Sequence, residues 1–203
     1  MPEIILIGAG DQAKVIIAAA KLGGTVVRAI YDDDALRWGE TVAGVPILGP
    51  LSKAESAGLP AVMGFDDPHL RKAAAERLEL RWVPVVHPRA YLEQSVEVGP
   101  GTVVLEGVVV QADAVLRRHV MVSANVTISH DSFVDDFAQL WPGVVLAGTV
   151  NIGEGACLEM GALVIPNTHV GAWASIGPRA VVIHDVPDNA HMAGMPARPI
   201  DVD

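Results

Sequence analysis

The stretch Ile128-Ser129-His130-Asp131-Ser132-Phe133-Val134-Asp135-Asp136-Phe137-Ala138-Gln139-Leu140 carries an aliphatic residue at every sixth position and a small one at 132 and 138. Followed outward, the sixth-residue series runs from Val98 through Val104, Val110, Leu116 and Val122 up to Ile176 and Val182, fifteen positions that are all aliphatic. The positions four residues later, from Thr102 to Val186, hold only Val, Thr, Ala or Ser. At about one-third aliphatic usage, fifteen matches in succession have odds far below roughly one in a million, which excludes a set of unrelated strands. A six-residue period means short flat segments, three to a turn of a solenoid, with the aliphatic residue filling the interior and the small residue fitting near each corner. One coil is then 18 residues, and Val96 to Val186 make about five coils without insertion. The period fixes the solenoid and not its hand; the usual chirality rule predicts a right-handed crossover.

Upstream the periodicity differs. The apolar run Ile4 to Ile7 stops at Gly8-Ala9-Gly10 and is followed by an alanine-rich helical segment from Ala13 to Leu22. A second run, Val26 to Tyr31, ends in Asp32-Asp33-Asp34, and a third, Ala61 to Gly64, precedes a helical stretch from His69 to Leu80. Strands alternating with helices imply a small parallel α/β sheet. The segment Trp82 to Pro88, with two prolines, reads as a linker or last strand, so the expected domains are 1–85 (α/β) and 86–203 (solenoid).

Composition narrows the function. A formal charge of −10 argues against nucleic acid, whose binding needs clustered Lys and Arg to release counterions. One cysteine, Cys157, excludes an internal disulfide framework and a cysteine-rich zinc site. There is no basic leader and no charge-free apolar stretch of about 18 residues, so no membrane span is expected, and the single thiol fits a reducing, cytoplasmic setting. The 51% hydrophobic content with only 4% aromatics is what a narrow interior of stacked Val, Ile and Leu requires.

Together the motifs Ile7-Gly8-Ala9-Gly10 with Lys14, Asp32-Asp33, Gly44-Val45-Pro46-Ile47-Leu48-Gly49, Val86-His87-Pro88, Ile128-Ser129-His130-Asp131, Asp185-Val186-Pro187-Asp188-Asn189 and Gly194-Met195-Pro196-Ala197 span nearly the whole chain. In these the sequence resembles the hexapeptide-repeat sugar-nucleotide and sialic acid acetyltransferases, which join a Rossmann-like sugar-nucleotide-binding domain to a left-handed parallel β-helix. The resemblance implies a homotrimer with acetyl-CoA between adjacent β-helices, a nucleotide-linked amino sugar held by the N-terminal domain, and N-acetylation by direct transfer. Alternatives within it are O-acetylation of a sugar or sialic acid, and a trimer that binds sugar nucleotide without turnover.

Acetyl transfer needs a base for the acceptor proton and a donor for the oxyanion. His130, followed by the carboxylate of Asp131, suits the first role. Gly148 lies 18 residues on, in the same column; its N–H is the candidate oxyanion donor, and a glycine admits close approach of substrate. The resemblance places the acceptor at Gly8, Gly10, Asp11, Gln12, Asp32, Asp33, Gly64 and Gln139, and the cofactor at Gly148, Gly194, Pro196 and Ala197; Trp141 and Trp173 fall at outward or corner positions of the hexapeptide, where rings suit a subunit groove or a cofactor wall, Trp141 being the nearer to the site. Asp11, Gln12 and Gln139 depart from the family's glycine and histidines, which bears on acceptor identity. Three other readings are weaker. The Gly8-x-Gly10-x-x-Ala13 fingerprint with Asp32 points to a dinucleotide, but the α/β region is too short for two mononucleotide-binding halves. A metal site from His119, His130, His169, His184 and His191 lacks the close histidine pair, because Gln139 occupies that place, so no metal is expected. Cys157, beside interior Leu158 and without a neighbouring base, reads as a packed thiol rather than a nucleophile.

Overall fold

The computed structural model describes residues 1–200. In the N-terminal domain β1 (Glu3–Ile7), α1 (Gln12–Leu22), β2 (Val26–Tyr31), β3 (Thr41–Val42), β4 (Val45–Gly49), β5 (Ala61–Met63) and α2 (Pro68–Arg77) follow in that order. The sheet order is β3-β4-β2-β1-β5, parallel except for the β3–β4 hairpin. Ile5, Leu6 and Ile7 are fully buried because helices cover both faces of this sheet, which is why β1 reads as an unbroken apolar run.

From Val85 to Ala193 the chain is a left-handed parallel β-helix, its strands two residues long except for the last, of three. The first face stacks Tyr91–Leu92, Val109–Val110, Thr127–Ile128, Val145–Leu146, Leu163–Val164 and Val181–Val182. The second face stacks Glu97–Val98, Val115–Leu116, Phe133–Val134, Asn151–Ile152 and His169–Val170. The third begins at Val85–Val86 and continues through Val103–Val104, Met121–Val122, Gln139–Leu140, Cys157–Leu158 and Ser175–Ile176 to His191–Ala193. Strand partners are 18 residues apart, as Met121 to Gln139 and Gln139 to Cys157, until the last turn tightens to 16 between Ser175 and His191. From Val104 to Ile176 the sixth-residue aliphatics are all at most 1% exposed and form one continuous column. A final strand, Arg198–Pro199, turns back antiparallel on His191–Ala193, while α1 packs against Val85–Val86 at the other end.

From Gly101 to Arg179 each corner is made by one left-handed residue, and these too recur every sixth position: Gly101, Gly107, Asp113, His119, Asn125, Asp131, Phe137, Gly143, Thr149, Gly155, Gly161, Asn167, Trp173 and Arg179 all have φ between 55 and 75°. Most are not glycine, so the β-helix imposes on ordinary residues a conformation they adopt rarely.

Candidate active site

His130 and Asp131 stand at the corner between the first and second faces. Asp131 supplies the left-handed turn (φ 57°), a conformation that Asp tolerates better than most residues. Its Oδ2 lies 2.7 Å from His130 Nδ1, and both side chains are more than half exposed. With Nδ1–H directed at the carboxylate, Nε2 is left with its lone pair free to take a proton. One coil below, Gln111 Oε1 accepts the His130 backbone N–H at 3.3 Å.

One coil above sits Gly148, as its spacing predicts, but the reason for glycine is specific. A Cβ there would stand 2.7 Å from both Cε1 and Nε2 of His130. The absent side chain thus makes room for the imidazole itself, in addition to any substrate. Among the described residues no group accepts the Gly148 N–H, so a proton acceptor and a backbone donor lie side by side.

In the N-terminal domain the three glycines expected at the acceptor interlock. A Cβ on Gly64 would lie 2.6 Å from Gly8 O, one on Gly10 2.9 Å from Gly64 O, and one on Gly8 2.4 Å from the Phe65 ring. They allow the turns after β1 and β5 to touch, and the N–H groups of Gly10 and Asp11 at the start of α1 make no bond among the described residues. Asp11 is exposed and makes no capping bond. Gln12, half-buried, faces Asp66, whose carboxyl is raised above the usual range by burial. Asp32 is engaged by the backbone: Oδ2 accepts from Ala9 N–H at 2.6 Å and Oδ1 from Asp34 N–H at 2.8 Å. Asp33 accepts from Leu51 N–H and pairs with Arg77. Beside them Asp32, Asp33, Leu51, Phe65, Leu70 and Arg77 line a cavity of about 250 Å³.

Several expected site residues have other surroundings. Gln139 is fully buried, its Oε1 2.9 Å from Arg71 Nη1, because the third face is where the N-terminal domain docks. Trp173 is not a free groove wall: its ring stacks on His69 at 4.3 Å with Lys72 above it. Trp141 is half-buried on the third face, with Nε1 shielded and unpaired. Gly194 and Pro196 are exposed, whereas Ala197 is 5% exposed within the β-helix core and its N–H donates to Val181 O, so its side chain is not available to a cofactor. Burial pushes the Cys157 thiol up to about 11, which leaves it inert at neutral pH. Among the described residues no three His, Cys, Asp or Glu side chains converge as metal ligands, and no helix is long and apolar enough to cross a membrane. Phe65, Asp66 and Arg71 were not singled out by any motif; nothing in their spacing marks them.

No family model matches the chain. A perosamine N-acetyltransferase from Caulobacter crescentus, solved with one histidine replaced by asparagine and in complex with CoA and GDP-perosamine, is 31% identical. The match covers 100% of this chain and 98% of that one with a TM-score of 0.94. The acetyltransferase domain of PglB from Neisseria gonorrhoeae, in complex with acetyl coenzyme A, is 31% identical over 98% of each chain with a TM-score of 0.92. Serine acetyltransferase of Haemophilus influenzae is 30% identical over 89 residues, which span 40% of this chain and 33% of that protein. The chain spans less than half the length of the curated relatives it matches.

Proposed function

The chain belongs to the hexapeptide-repeat sugar N-acetyltransferase family, and from that premise we propose that it transfers acetyl from acetyl-CoA to the amine of a nucleotide-linked amino sugar. The observation that carries the proposal is the His130–Asp131 pair set against the open N–H of Gly148. The acceptor nitrogen attacks the thioester carbon while His130 Nε2 takes its proton and Asp131 steadies the resulting imidazolium. The carbonyl electrons move to an oxyanion held by the Gly148 N–H. Collapse breaks the carbon–sulfur bond, and the departing thiolate recovers the proton from His130. The acceptor's phosphates suit the unbonded N–H groups of Gly10 and Asp11 at the N-terminus of α1.

The reading includes a homotrimer. Each N-terminal domain covers the third face of its own β-helix, through Val103, Leu105, Met121 and Gln139, while His130 lies at the opposite corner, between the first and second faces. An acceptor carried by one copy then meets His130 of the next. The first face, whose outward Val109, Val145, Leu163 and Val181 are only half-buried, is the apolar surface suited to that contact.

The test is a thiol-release assay with acetyl-CoA against a panel of nucleotide-linked amino sugars that includes GDP-perosamine. One member should turn over, and His130→Ala should lower kcat about 100-fold or more with the oligomer intact. Binding of a sugar nucleotide without thiol release across the panel would replace catalysis with sensing.

A further inference from the structure

Arg71 is 1% exposed, and no carboxylate pairs with it among the described residues. It leaves α2 and enters the seam between the domains, where five neutral oxygens receive it. Nη1 donates to Phe65 O at 3.1 Å, Asp66 O at 2.6 Å and Gln139 Oε1 at 2.9 Å. Nη2 donates to Phe137 O at 2.6 Å and Ala138 O at 3.3 Å. The first two oxygens belong to the turn after Gly64, which interlocks with Gly8 and Gly10. The other three belong to the coil that also carries His130 and Asp131.

A guanidinium buried without a direct ion pair is an expensive way to fill a seam, even with the Asp66 and Asp67 carboxylates near enough to act on it through space. An aliphatic side chain of similar volume there would be neutral or stabilising in the usual case. Arg71 Nε and Gln139 Nε2 are also left without acceptors, a further loss. What the planar fork supplies, and an aliphatic chain cannot, is direction: several oriented bonds at once fix both the separation and the angle of the bodies they join. Two rim contacts beside it, His69 stacked on Trp173 and Lys72 paired with Glu154 at 2.8 Å, add area without that precision.

We propose that Arg71 is a positioning residue for acetyl transfer, locking the glycine turns that carry the acceptor to the β-helix so that acceptor and His130 meet at one geometry in the assembled enzyme. This rests on the function proposed above. Near-attack alignment is steeply distance-dependent, and a misplacement of about 1 Å costs on the order of 100-fold in rate. Loss of the lock should therefore appear in kcat and not in either binding constant.

The experiment compares the full chain with Arg71→Met and Arg71→Lys, using the acceptor that the thiol-release panel identifies. In both variants kcat should fall about 30-fold or more, while calorimetric Kd values for acceptor and acetyl-CoA each stay within about threefold of wild type. Lysine should not rescue, since it keeps the charge and loses the fork. Wild-type kcat in a folded variant overturns the proposal, and so does a kcat loss matched by lost binding, which would mark general structural damage. Should both variants fail to fold, Gln139→Leu removes one acceptor of the fork and is expected to lower kcat by about three- to tenfold; wild-type kcat there overturns the proposal. A second readout does not depend on turnover: amide hydrogen exchange at residues 64–66 and 137–139 should quicken at least about tenfold in Arg71→Met, with Val144 to Val164 unchanged. If no acceptor turns over with wild type, the catalytic reading fails on its own account, and equal exchange in variant and wild type overturns the lock.

Discussion

Replacing Gly148 with alanine should separate stability from catalysis. The new Cβ would lie 2.7 Å from Cε1 and Nε2 of His130, against an ordinary carbon contact of about 3.5–4.0 Å. Because the ring is the exposed end of a side chain, it swings aside by about 1 Å, and the backbone is not forced to move. Gly148 does not have a positive φ, so alanine fits its backbone, and the entropy removed from the unfolded chain is worth about 0.4–1 kcal/mol in favour of the variant. Folding stability should therefore hardly change. Catalysis should not escape: a base displaced by about 1 Å loses on the order of 100-fold in kcat, or about 2.7 kcal/mol of barrier. The Gly148 N–H survives the substitution, so the loss reports on the histidine. The assay is steady-state thiol release with acetyl-CoA, paired with thermal melting of the same sample. Unchanged kcat at unchanged Tm would refute the placement of His130 as base.

Asp131→Asn keeps a residue that tolerates the left-handed corner and removes the carboxylate from His130; kcat should drop tenfold or more in the thiol-release assay, with the melting temperature nearly constant. His119, packed between Trp82 and Phe137, is pushed down to about 4 by burial, with Arg118 and Arg71 adding to the effect. Its neutral form is the folded one, so the unfolded chain binds the extra proton between the ordinary value of 6.5 and about 4; stability present above the upper value is lost as pH falls through that window, by on the order of 3 kcal/mol. Urea titrations from pH 7 to 4 should show the decline, and His119→Phe should flatten it. Leu163→Glu on the first face should shift the sedimentation coefficient towards monomer and abolish turnover, if neighbouring copies share the site there. Ile128→Ala, in the interior of the His130 coil, should lose about 2–5 kcal/mol in denaturant unfolding through the cavity left behind.

The β-helix was legible because its interior is a one-dimensional column, so that residues 98, 104 and 110 answer to a single packing rule whatever the rest of the fold does. The 18-residue coil likewise puts Gly148 over His130 from the spacing alone. The left-handed corners were not legible, since Asp131, Phe137, Thr149 and Trp173 share a φ and no chemistry. Nor was the docked face. Gln139, Cys157 and Ser175 project from one side and Phe133, Asn151 and His169 from another, and nothing in the repeat says which side meets the N-terminal domain. The resemblance puts Gln139 at the acceptor and the outward spacing suits Trp173 to a groove; in the structure Gln139 meets Arg71 and Trp173 stacks on His69. Arg71 itself could not be found from the chain, because its partners are mostly backbone oxygens, which every residue has.

A stack of matching rungs is also a template for more rungs: each end offers a row of unpaired amides and carbonyls to any extended chain, including another copy of itself. On the third face neither end is left bare. At the start α1 lies against Val85–Val86, and at the finish the chain reverses so that Arg198–Pro199 takes the last edge, with a proline that has no N–H to offer a newcomer. The two caps close the third-face ladder and lie away from His130: a variant cut before Arg198 should keep its coils and associate end to end.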